Sequence, residues 1–216
     1  FGESLFLKCE NLISVDFLPN NELHSMGNNV FSNSSIQKLS IPSKIEKLES
    51  GWCKNAINLS EIIISPDNKF LKYEDKKLLL GKSNEKEENY DILYYVHCDI
   101  TEVEIPITIK EISSCSFNCC KLIQKVTFPP NSNVNTIGQF SFHYTSISAI
   151  VIPSSVQSIE DGAFSNCTNL TSVKFEPNSQ LNSIGQEAFN NSKIEEISIP
   201  SSVVKIGQLA FAFCLS

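Results

Sequence analysis

Eight cysteines give this chain its greatest capacity for chemistry. A thiolate can act as a nucleophile or a metal ligand, and two thiols can form a disulfide. Five of the cysteines recur at one position of a repeat that is described below: Cys9, Cys98, Cys120, Cys167 and Cys214. The other repeats have serine, alanine or threonine there, so we interpret the position as a buried column in which cysteine packs as a small apolar residue. We expect mostly free thiols, because only Cys98 and Cys120 lie on neighbouring repeats and a disulfide spans at most roughly 7 Å between Cα atoms.

The three histidines, His24, His97 and His143, fall on different repeats. No cysteine or acidic residue stands at ligand spacing from them in the sequence, so we interpret them as solvated or corner residues. The chain also lacks a Gly-x-Ser-x-Gly elbow, a phosphate-binding loop and a His-Glu-x-x-His helix. The sequence therefore predicts no enzyme, no catalytic residue, no metal site and no cofactor.

Asparagine offers a different chemistry, N-linked glycosylation. Acceptor sequences begin at Asn33, Asn58, Asn166, Asn169 and Asn190. Asn33 and Asn166 share a repeat position with Asn55 and Asn191, and we expect their amides to hydrogen-bond corner backbone. Because the repeat is rich in asparagine and serine, chance explains these sequences about as well as glycosylation does. If any are used, Asn58, Asn169 and Asn190 are the candidates, since they lie off the inward column.

All of these residues are positioned by an internal repeat. Its clearest feature is a mostly aromatic residue, here called the rung residue, held in order by Phe6, Phe31, Cys53, Tyr95, Phe117, Phe142, Phe164, Phe189 and Phe211. The steps alternate between 25 and 22 residues, except that 42 residues separate Cys53 from Tyr95. Such a period predicts a stacked-repeat fold, in which each turn buries its apolar side against its neighbours.

Each repeat also contains an apolar-x-apolar triplet, which predicts a short strand with one buried face. The triplets are Val15–Phe17, Leu39–Ile41, Ile62–Ile64, Val103–Ile105, Val126–Phe128, Ile150–Ile152, Val173–Phe175 and Ile197–Ile199. The nine prolines lie at or just after these triplets, where strand pairing ends. Five of the eight glycines directly follow the repeat position that is most often isoleucine, and they predict tight or 3₁₀-type turns. The predicted fold is an all-β-rich solenoid of about nine turns with short parallel strands.

The long step before Tyr95 contains an insertion, at about residues 67–94. Apolar runs at 70–73, 77–81 and 90–94 surround a charged segment at 82–89. This pattern predicts one β-hairpin that protrudes from the solenoid. We therefore expect deletion of Asp67–Tyr90 to change binding more than stability.

Composition limits the classes of partner. The formal net charge is −7, and the 17 basic residues are all lysine, whereas nucleic-acid recognition favours arginine and basic faces. No apolar run approaches the roughly 18 residues of a membrane span, and no signal peptide is evident. We expect no nucleic-acid partner and no direct membrane insertion by this segment. Since both ends fall within a repeat, we interpret residues 1–216 as a single solenoid that is a fragment of a longer protein.

The segment from Ile150 to Cys167, Ile-Val-Ile-Pro-Ser-Ser-Val-x-x-Ile-x-x-x-Ala-Phe-x-x-Cys, resembles the BspA-like class of leucine-rich repeats. The insertion at Asn68–Tyr95 strengthens the resemblance, which extends over all nine rungs. The resemblance implies a curved solenoid on surface proteins of bacteria and parasitic protists, used for adhesion to host matrix proteins or other cells. This sequence departs from the pattern at Trp52, Cys53 and Tyr95, which affects local packing.

Two functions follow as expectations. One is a non-catalytic protein-binding module of a cell-surface or secreted protein, acting in adhesion and host–pathogen interaction, and the other is a cytoplasmic protein-interaction scaffold, favoured if the thiols are reduced. The middle residues of the triplets should form an outward column. That column lacks aromatic anchors, so we place the partner site at Ile63, Tyr73, Tyr90, Tyr94 and Glu104. It is equally consistent with the sequence that these tyrosines only attach the hairpin to the solenoid.

Overall fold

The structure, a computed structural model, describes residues 1–18 and 21–214. The chain divides into two compact units, Phe1–His97 and Cys98–Ser216, each of which is described by itself. Regular structure within the described residues consists of short strands, mostly in parallel ladders, and both units are built from solenoid turns. The predicted fold class is thus confirmed.

Two parallel ladders and an antiparallel sheet form the first unit. Its strands are β1 (Ser14–Val15), β2 (Ser25–Met26), β3 (Lys38–Ile41), β4 (Lys47–Leu48), β5 (Glu61–Ile64), β6 (Leu71–Glu74), β7 (Leu78–Gly81) and β8 (Ile92–Val96). Strands β1, β3 and β5 pair in parallel, with Leu39 opposite Ile62 and Ser40 opposite Ile63. The smaller ladder pairs β2 with β4. Leu39 and Ile62 are buried, as the triplet pattern predicts.

The second unit repeats the same plan. Its strands are β9 (Glu102–Glu104), β10 (Glu111–Ile112), β11 (Lys125–Thr127), β12 (Thr136–Ile137), β13 (Ala149–Ile152), β14 (Ser158–Ile159), β15 (Ser172–Phe175), β16 (Ser183–Ile184) and β17 (Lys205–Ile206). Strand β9 pairs with β11, and β13 with β15. A ladder that the triplets do not predict links β10, β12, β14, β16 and β17. The strand predicted at Ile197–Ile199 is not formed.

The backbone around each rung residue alternates two kinds of hydrogen bond. Near Phe142, the amides of Phe140, Phe142 and Tyr144 donate to carbonyls of the next turn at 2.8–3.2 Å. The amides between them donate to the carbonyl three residues earlier, which is the bond of the predicted 3₁₀-type turns. Phe140 and Tyr144, two residues before and after Phe142, have φ of 52° and 59°. These two positions are left-handed around every rung residue except Tyr95, which lies in β8.

The rung residues stack to form the core. The rings of Phe142, Phe164, Phe189 and Phe211 follow one another with centroids 4.9, 5.1 and 5.3 Å apart and interplanar angles of 2–3°. In the first unit Phe6 stacks on Phe31 with centroids 5.3 Å apart. Because a single turn has nothing on which to bury such a ring, each turn depends on its neighbours for stability.

The insertion forms a three-stranded antiparallel sheet, β6-β7-β8, instead of a single protruding hairpin. Asp75 and Lys76, in the loop between β6 and β7, have φ of 49° and 55°, as the central residues of a type I′ turn require, and Lys77 N donates to the Glu74 carbonyl at 2.8 Å. Leu71, Leu79 and Leu80 are buried, and Leu71 and Leu79 belong to the core cluster of the first unit. The predicted protrusion is therefore wrong, because the insertion supplies core residues to the solenoid.

Glycine allows close approach between turns. A Cβ at Gly185 would lie 2.5 Å from the backbone nitrogen of Asp161 in the preceding turn, and one at Gly138 would lie 2.6 Å from the carbonyl oxygen of Ile112. Gly51 and Gly162 instead occupy left-handed positions, with φ of 64° and 62°. Glycine thus has two roles in the repeat: it lets neighbouring turns approach closely at Gly138 and Gly185, and it adopts the left-handed conformation at Gly51 and Gly162.

Cys98 and Cys120 form a disulfide between neighbouring turns, the pair that the sequence analysis places on neighbouring repeats. Cys167 lies in the predicted buried column. Its Sγ donates to the Phe142 carbonyl at 3.0 Å and lies 3.3 Å from Thr145 Oγ1. Burial raises the pKa of the Cys167 thiol to about 11, so the thiol is protonated at neutral pH.

Candidate functional site

The outward face of β1, β3 and β5 in the first unit carries the predicted column Asp16, Ser40 and Ile63. Ser40 Oγ donates to the carboxylate of Asp16, and Ile63 is the next residue along the column, with 43% of its surface exposed. A hollow of about 230 Å³ lies beside this column, and its walls include Phe17, Leu18, Pro42 and Ile63. Leu18 is 84% exposed. The hollow therefore presents apolar surface on a face that is otherwise polar.

A second hollow, of about 660 Å³, is formed where the insertion meets the turns. Its walls are His24, Ser43, Lys44, Glu46, Asp67, Lys69, Phe70, Lys82 and Glu85. Ser43 also lines the first hollow, so the two adjoin. We call the two together the first-unit site.

Polar side-chain pairs that join neighbouring turns surround the first-unit site. Lys44 Nζ lies 2.6 Å from Glu22 Oε1, and this hydrogen bond, with the charge of Lys44, lowers the pKa of the Glu22 carboxyl. His24 Nδ1 lies 2.9 Å from Glu46 Oε1. Both pairs join residues 22 apart in the sequence, which stacking places side by side. Because Glu46 is 22 residues from His24 in the sequence, it does not stand at local ligand spacing and was not recognised there as an acidic partner of His24.

The predicted tyrosines have different environments. Tyr94 is 3% exposed, which removes it from any partner surface. Tyr73 packs against the core cluster opposite Leu79. Tyr90 is half-buried, and Lys82 Nζ lies 5.5 Å from its ring centroid. Of the tyrosines proposed as anchors, Tyr90 is thus the one beside the first-unit site, through Lys82.

Glu104, the remaining predicted contact, is exposed on β9 in the second unit, opposite Thr127. The structure does not include it in the first-unit site as defined above. Several residues that line the first-unit site were not predicted from the sequence, among them Leu18 and Lys82. Leu18 follows a strand triplet and was not assigned to either face, and Lys82 stands in a charged segment that offered no position-specific signal.

The repeated asparagines bond to each other across turns, a contact that the sequence did not predict. Asn55 Nδ2 donates to Asn33 Oδ1 at 3.0 Å, and Asn191 Nδ2 donates to Asn166 Oδ1 at 2.8 Å. These residues occupy the left-handed position after the rung residue, which asparagine tolerates well. The amides therefore form a short row of two on the surface of each unit.

The glycosylation candidates lie outside that row. Asn58 and Asn169 are exposed and occupy equivalent positions, five residues after the rung residues Cys53 and Phe164. Asn190 is half-buried. Among these three candidates, access by a glycosylating enzyme is thus greatest at Asn58 and Asn169.

The other two histidines form hydrogen bonds with residues of other turns. His97 Nε2 lies 3.2 Å from the Ser60 carbonyl, and His143 lies between the amides of Asn118 and Asn166, at 3.1 and 3.2 Å. Within residues 1–18 and 21–214, no group of three or more His, Cys, Asp or Glu side chains is arranged to hold a metal ion. In the same residues, no helix has the length and apolar character needed to cross a membrane.

Comparison with known families identifies a match over nearly the whole chain. The model of the BspA type leucine rich repeat region matches residues 1–75 and 91–216, in six copies. The gap between the matched segments falls on the loop between β7 and β8 and its flanks. No curated protein matches the chain.

Solved structures with the same fold come from bacteria. A leucine-rich repeat protein from Eubacterium ventriosum is 21% identical, with a TM-score of 0.53, over 100% of this chain and 68% of its own length. The pneumococcal vaccine antigen PcpA is 20% identical, with a TM-score of 0.67, over 92% of this chain. A leucine rich cell surface protein from Faecalibacterium prausnitzii is 21% identical, with a TM-score of 0.58, over 99%. The chain spans 57% and 60% of the latter two structures.

Proposed function

Because the chain belongs to the BspA-type leucine-rich repeat family, we propose that it is a non-catalytic protein-binding module of a cell-surface protein, mediating adhesion to host extracellular matrix or to other cells. The family and its fold are typically non-catalytic. Two relatives in fold are described as a vaccine antigen and a cell surface protein, which supports a surface location for this chain as well.

The first-unit site is the observation that carries this proposal. Leu18 and Ile63 expose apolar surface at a hollow, while Lys44, Glu46 and Lys82 line the adjoining hollow. Protein interfaces commonly combine an apolar centre with a polar rim, and a few central residues supply most of the binding energy. A partner protein that inserts an apolar side chain beside Ile63 would meet charges of both signs at the rim.

The disulfide bears on the alternative, a cytoplasmic scaffold. Disulfides persist in oxidising compartments and are rare in the cytosol. The Cys98–Cys120 pair therefore favours the surface over the cytoplasm. Buried thiols such as Cys167 are compatible with either location, because burial protects them from oxidation.

Binding to immobilised basement-membrane matrix and to intact host cells tests the proposal. We expect Leu18→Ser and Ile63→Ser each to weaken binding by about fivefold or more, as for central interface residues. Tyr90→Ser should weaken it if the loop between β7 and β8 contributes. Several copies on one surface would strengthen attachment through avidity, so the monovalent protein must be measured as well.

Val151→Ser is the matched control for Ile63→Ser. Val151 is 51% exposed at the corresponding outward position of β13 in the second unit, so both changes remove similar apolar surface. Equal binding by all variants, with unchanged thermal stability, would refute the first-unit site. Binding by neither matrix nor cells would refute adhesion itself.

We also propose that Asn58 and Asn169 are the N-glycosylation sites of this chain if it is made in a glycosylating secretory pathway, with Asn190 a weaker acceptor. Their exposure and their position outside the amide row support this order. Mass spectrometry of the secreted protein before and after enzymatic deglycosylation should find glycans at Asn58 and Asn169. Occupancy at Asn33 or Asn166 instead would contradict the assignment.

A further inference from the structure

A polar groove in the second unit remains outside the proposed protein-binding function. It has a volume of about 650 Å³ and runs across the turns of four rung residues, from Phe142 to Phe211. Its most regular members are the residues three positions before each rung residue, Gln139, Asp161, Gln186 and Gln208. The groove is therefore lined by one planar amide or carboxylate per turn.

The backbone holds these four side chains in a fixed register. Amides of neighbouring turns donate to the carbonyls of Asp161, Gln186 and Gln208 at 3.0, 2.8 and 3.0 Å. The Asp161 carboxylate also accepts from the backbone nitrogen of Gln186 at 2.6 Å. Adjacent rung rings lie 4.9, 5.1 and 5.3 Å apart over the same turns, so the groove repeats at about that spacing.

The other lining residues are small, hydroxylated or charged. Gly185 and Gly207 lie in the lining and let neighbouring turns approach closely, while Ser158 and Ser183 supply hydroxyl groups. Lys205 is a cation in the lining, and Glu160 and Asp161 are anions. The groove thus has many neutral hydrogen-bonding groups and no excess of positive charge.

We propose that this groove binds a neutral, extended oligosaccharide, an activity beyond protein binding. Carboxamides and carboxylates hydrogen-bond pairs of sugar hydroxyls, since each offers donors or acceptors in one plane. A β-linked chain of neutral sugars advances by a length close to the turn spacing, so that each sugar meets one turn and every second sugar presents the same face. The carboxylates of Glu160 and Asp161 disfavour sulfated or other acidic glycans.

The experiment titrates the full chain with cellohexaose and with chitohexaose, observing the glutamine side-chain amide signals by NMR. We expect saturable shifts for at least one of them, with a Kd of about 1 mM or lower. Maltohexaose, which is curved, and a heparin hexasaccharide, which is sulfated, should bind at least fivefold more weakly. Absence of saturable binding by both β-linked probes, or equal binding of maltohexaose, would overturn the proposal.

Two variants place the binding in this groove. Gln186→Ala and Gln208→Ala each remove one amide from the lining. Each should weaken binding at least fivefold. Gln124→Ala, an exposed glutamine of the same unit outside the lining, should leave it unchanged. Undiminished binding by Gln186→Ala and Gln208→Ala would overturn the proposal.

Discussion

The hydroxyl of Tyr95 donates a 2.7 Å hydrogen bond to the backbone carbonyl of Leu59. Tyr95 is the rung residue of the turn that contains the insertion, and it also packs edge-on against Trp52 with centroids 6.2 Å apart. Phenylalanine at this position could fill the space but could not bond Leu59. The departure from phenylalanine therefore ties β8 to the turn that precedes β5.

Replacing Tyr95 with phenylalanine tests this bond. We expect the free energy of unfolding to fall by about 1–2 kcal/mol, since the buried carbonyl of Leu59 loses a hydrogen bond. Urea denaturation followed by circular dichroism measures the change. Tyr90→Phe is the control, because Tyr90 is half-exposed, and an equal loss in both variants would contradict the assigned role.

Phe164→Ala should destabilise the second unit by about 3–5 kcal/mol, because it removes a fully buried ring and leaves a cavity. Phe164 is stacked between Phe142 and Phe189, so both neighbours lose contact. Tyr144→Ala, at an exposed position near the same stack, should change stability far less. Thermal and urea unfolding of the two variants provide the comparison, and similar stabilities would contradict the stacked core.

Leu79→Ala should lower the free energy of unfolding by about 2–5 kcal/mol, as expected for a buried leucine.

Because residues of the insertion are buried in this way, deletion of Asp67–Tyr90 should unfold the first unit, contrary to the expectation from the sequence. Proteolysis and thermal denaturation of the deletion variant measure this. If the deletion variant melts at the same temperature as the intact chain, the insertion does not contribute to the core and the interpretation as a protruding hairpin is correct.

Stability should fall at alkaline pH through Cys167. Burial raises the pKa of its thiol from 9.0 to about 11, so the folded state binds the proton more tightly than the unfolded state. This stabilisation is complete below pH 9 and is lost as pH rises through about 11. Melting temperatures measured from pH 8 to 11 should fall more steeply for the intact chain than for Cys167→Ala. Parallel curves would refute the linkage.

Glycine at the end of the isoleucine strands should be replaceable only where the adjoining turn leaves room. Gly185→Ala should destabilise the second unit, because its Cβ would meet the backbone of Asp161 at 2.5 Å. Gly2→Ala is the contrast, since no atom lies within 4 Å of a Cβ there. Equal melting temperatures for these two variants would count against close packing as the reason for glycine.

The repeat period predicts the solenoid, the rung residues and most strands, because each turn buries the same positions. The insertion occurs once, so no repeat reveals which of its residues are buried. Strand β8 is buried on both faces, and for that reason an alternating pattern could not show that Tyr94 is buried whereas Tyr90 is partly exposed. The ladder through Ile112, Ile137 and Ile159 was missed because two-residue strands leave no alternation to detect.

The candidate sites were less predictable than the fold. The outward exposure of Ile63 could be predicted because the triplet pattern fixes the direction of its side chain. The hollow beside it depends on Leu18, whose exposure follows from the corner geometry. The salt bridge between Glu22 and Lys44 could be found only by comparing residues one turn apart. Contacts between charged side chains can therefore be predicted from the sequence once the number of residues in a turn is known.

If the protein is attached at a surface, as proposed above, the Cys98–Cys120 disulfide has a mechanical consequence. Under tension a stacked array lengthens by releasing turns from their neighbours, and each released turn adds its contour length. The disulfide joins residues 22 apart in the sequence, so the segment between them stays closed while the bond is intact. Reduction would add that segment to the extensible length, and the extension at break under load would report the redox state of the environment.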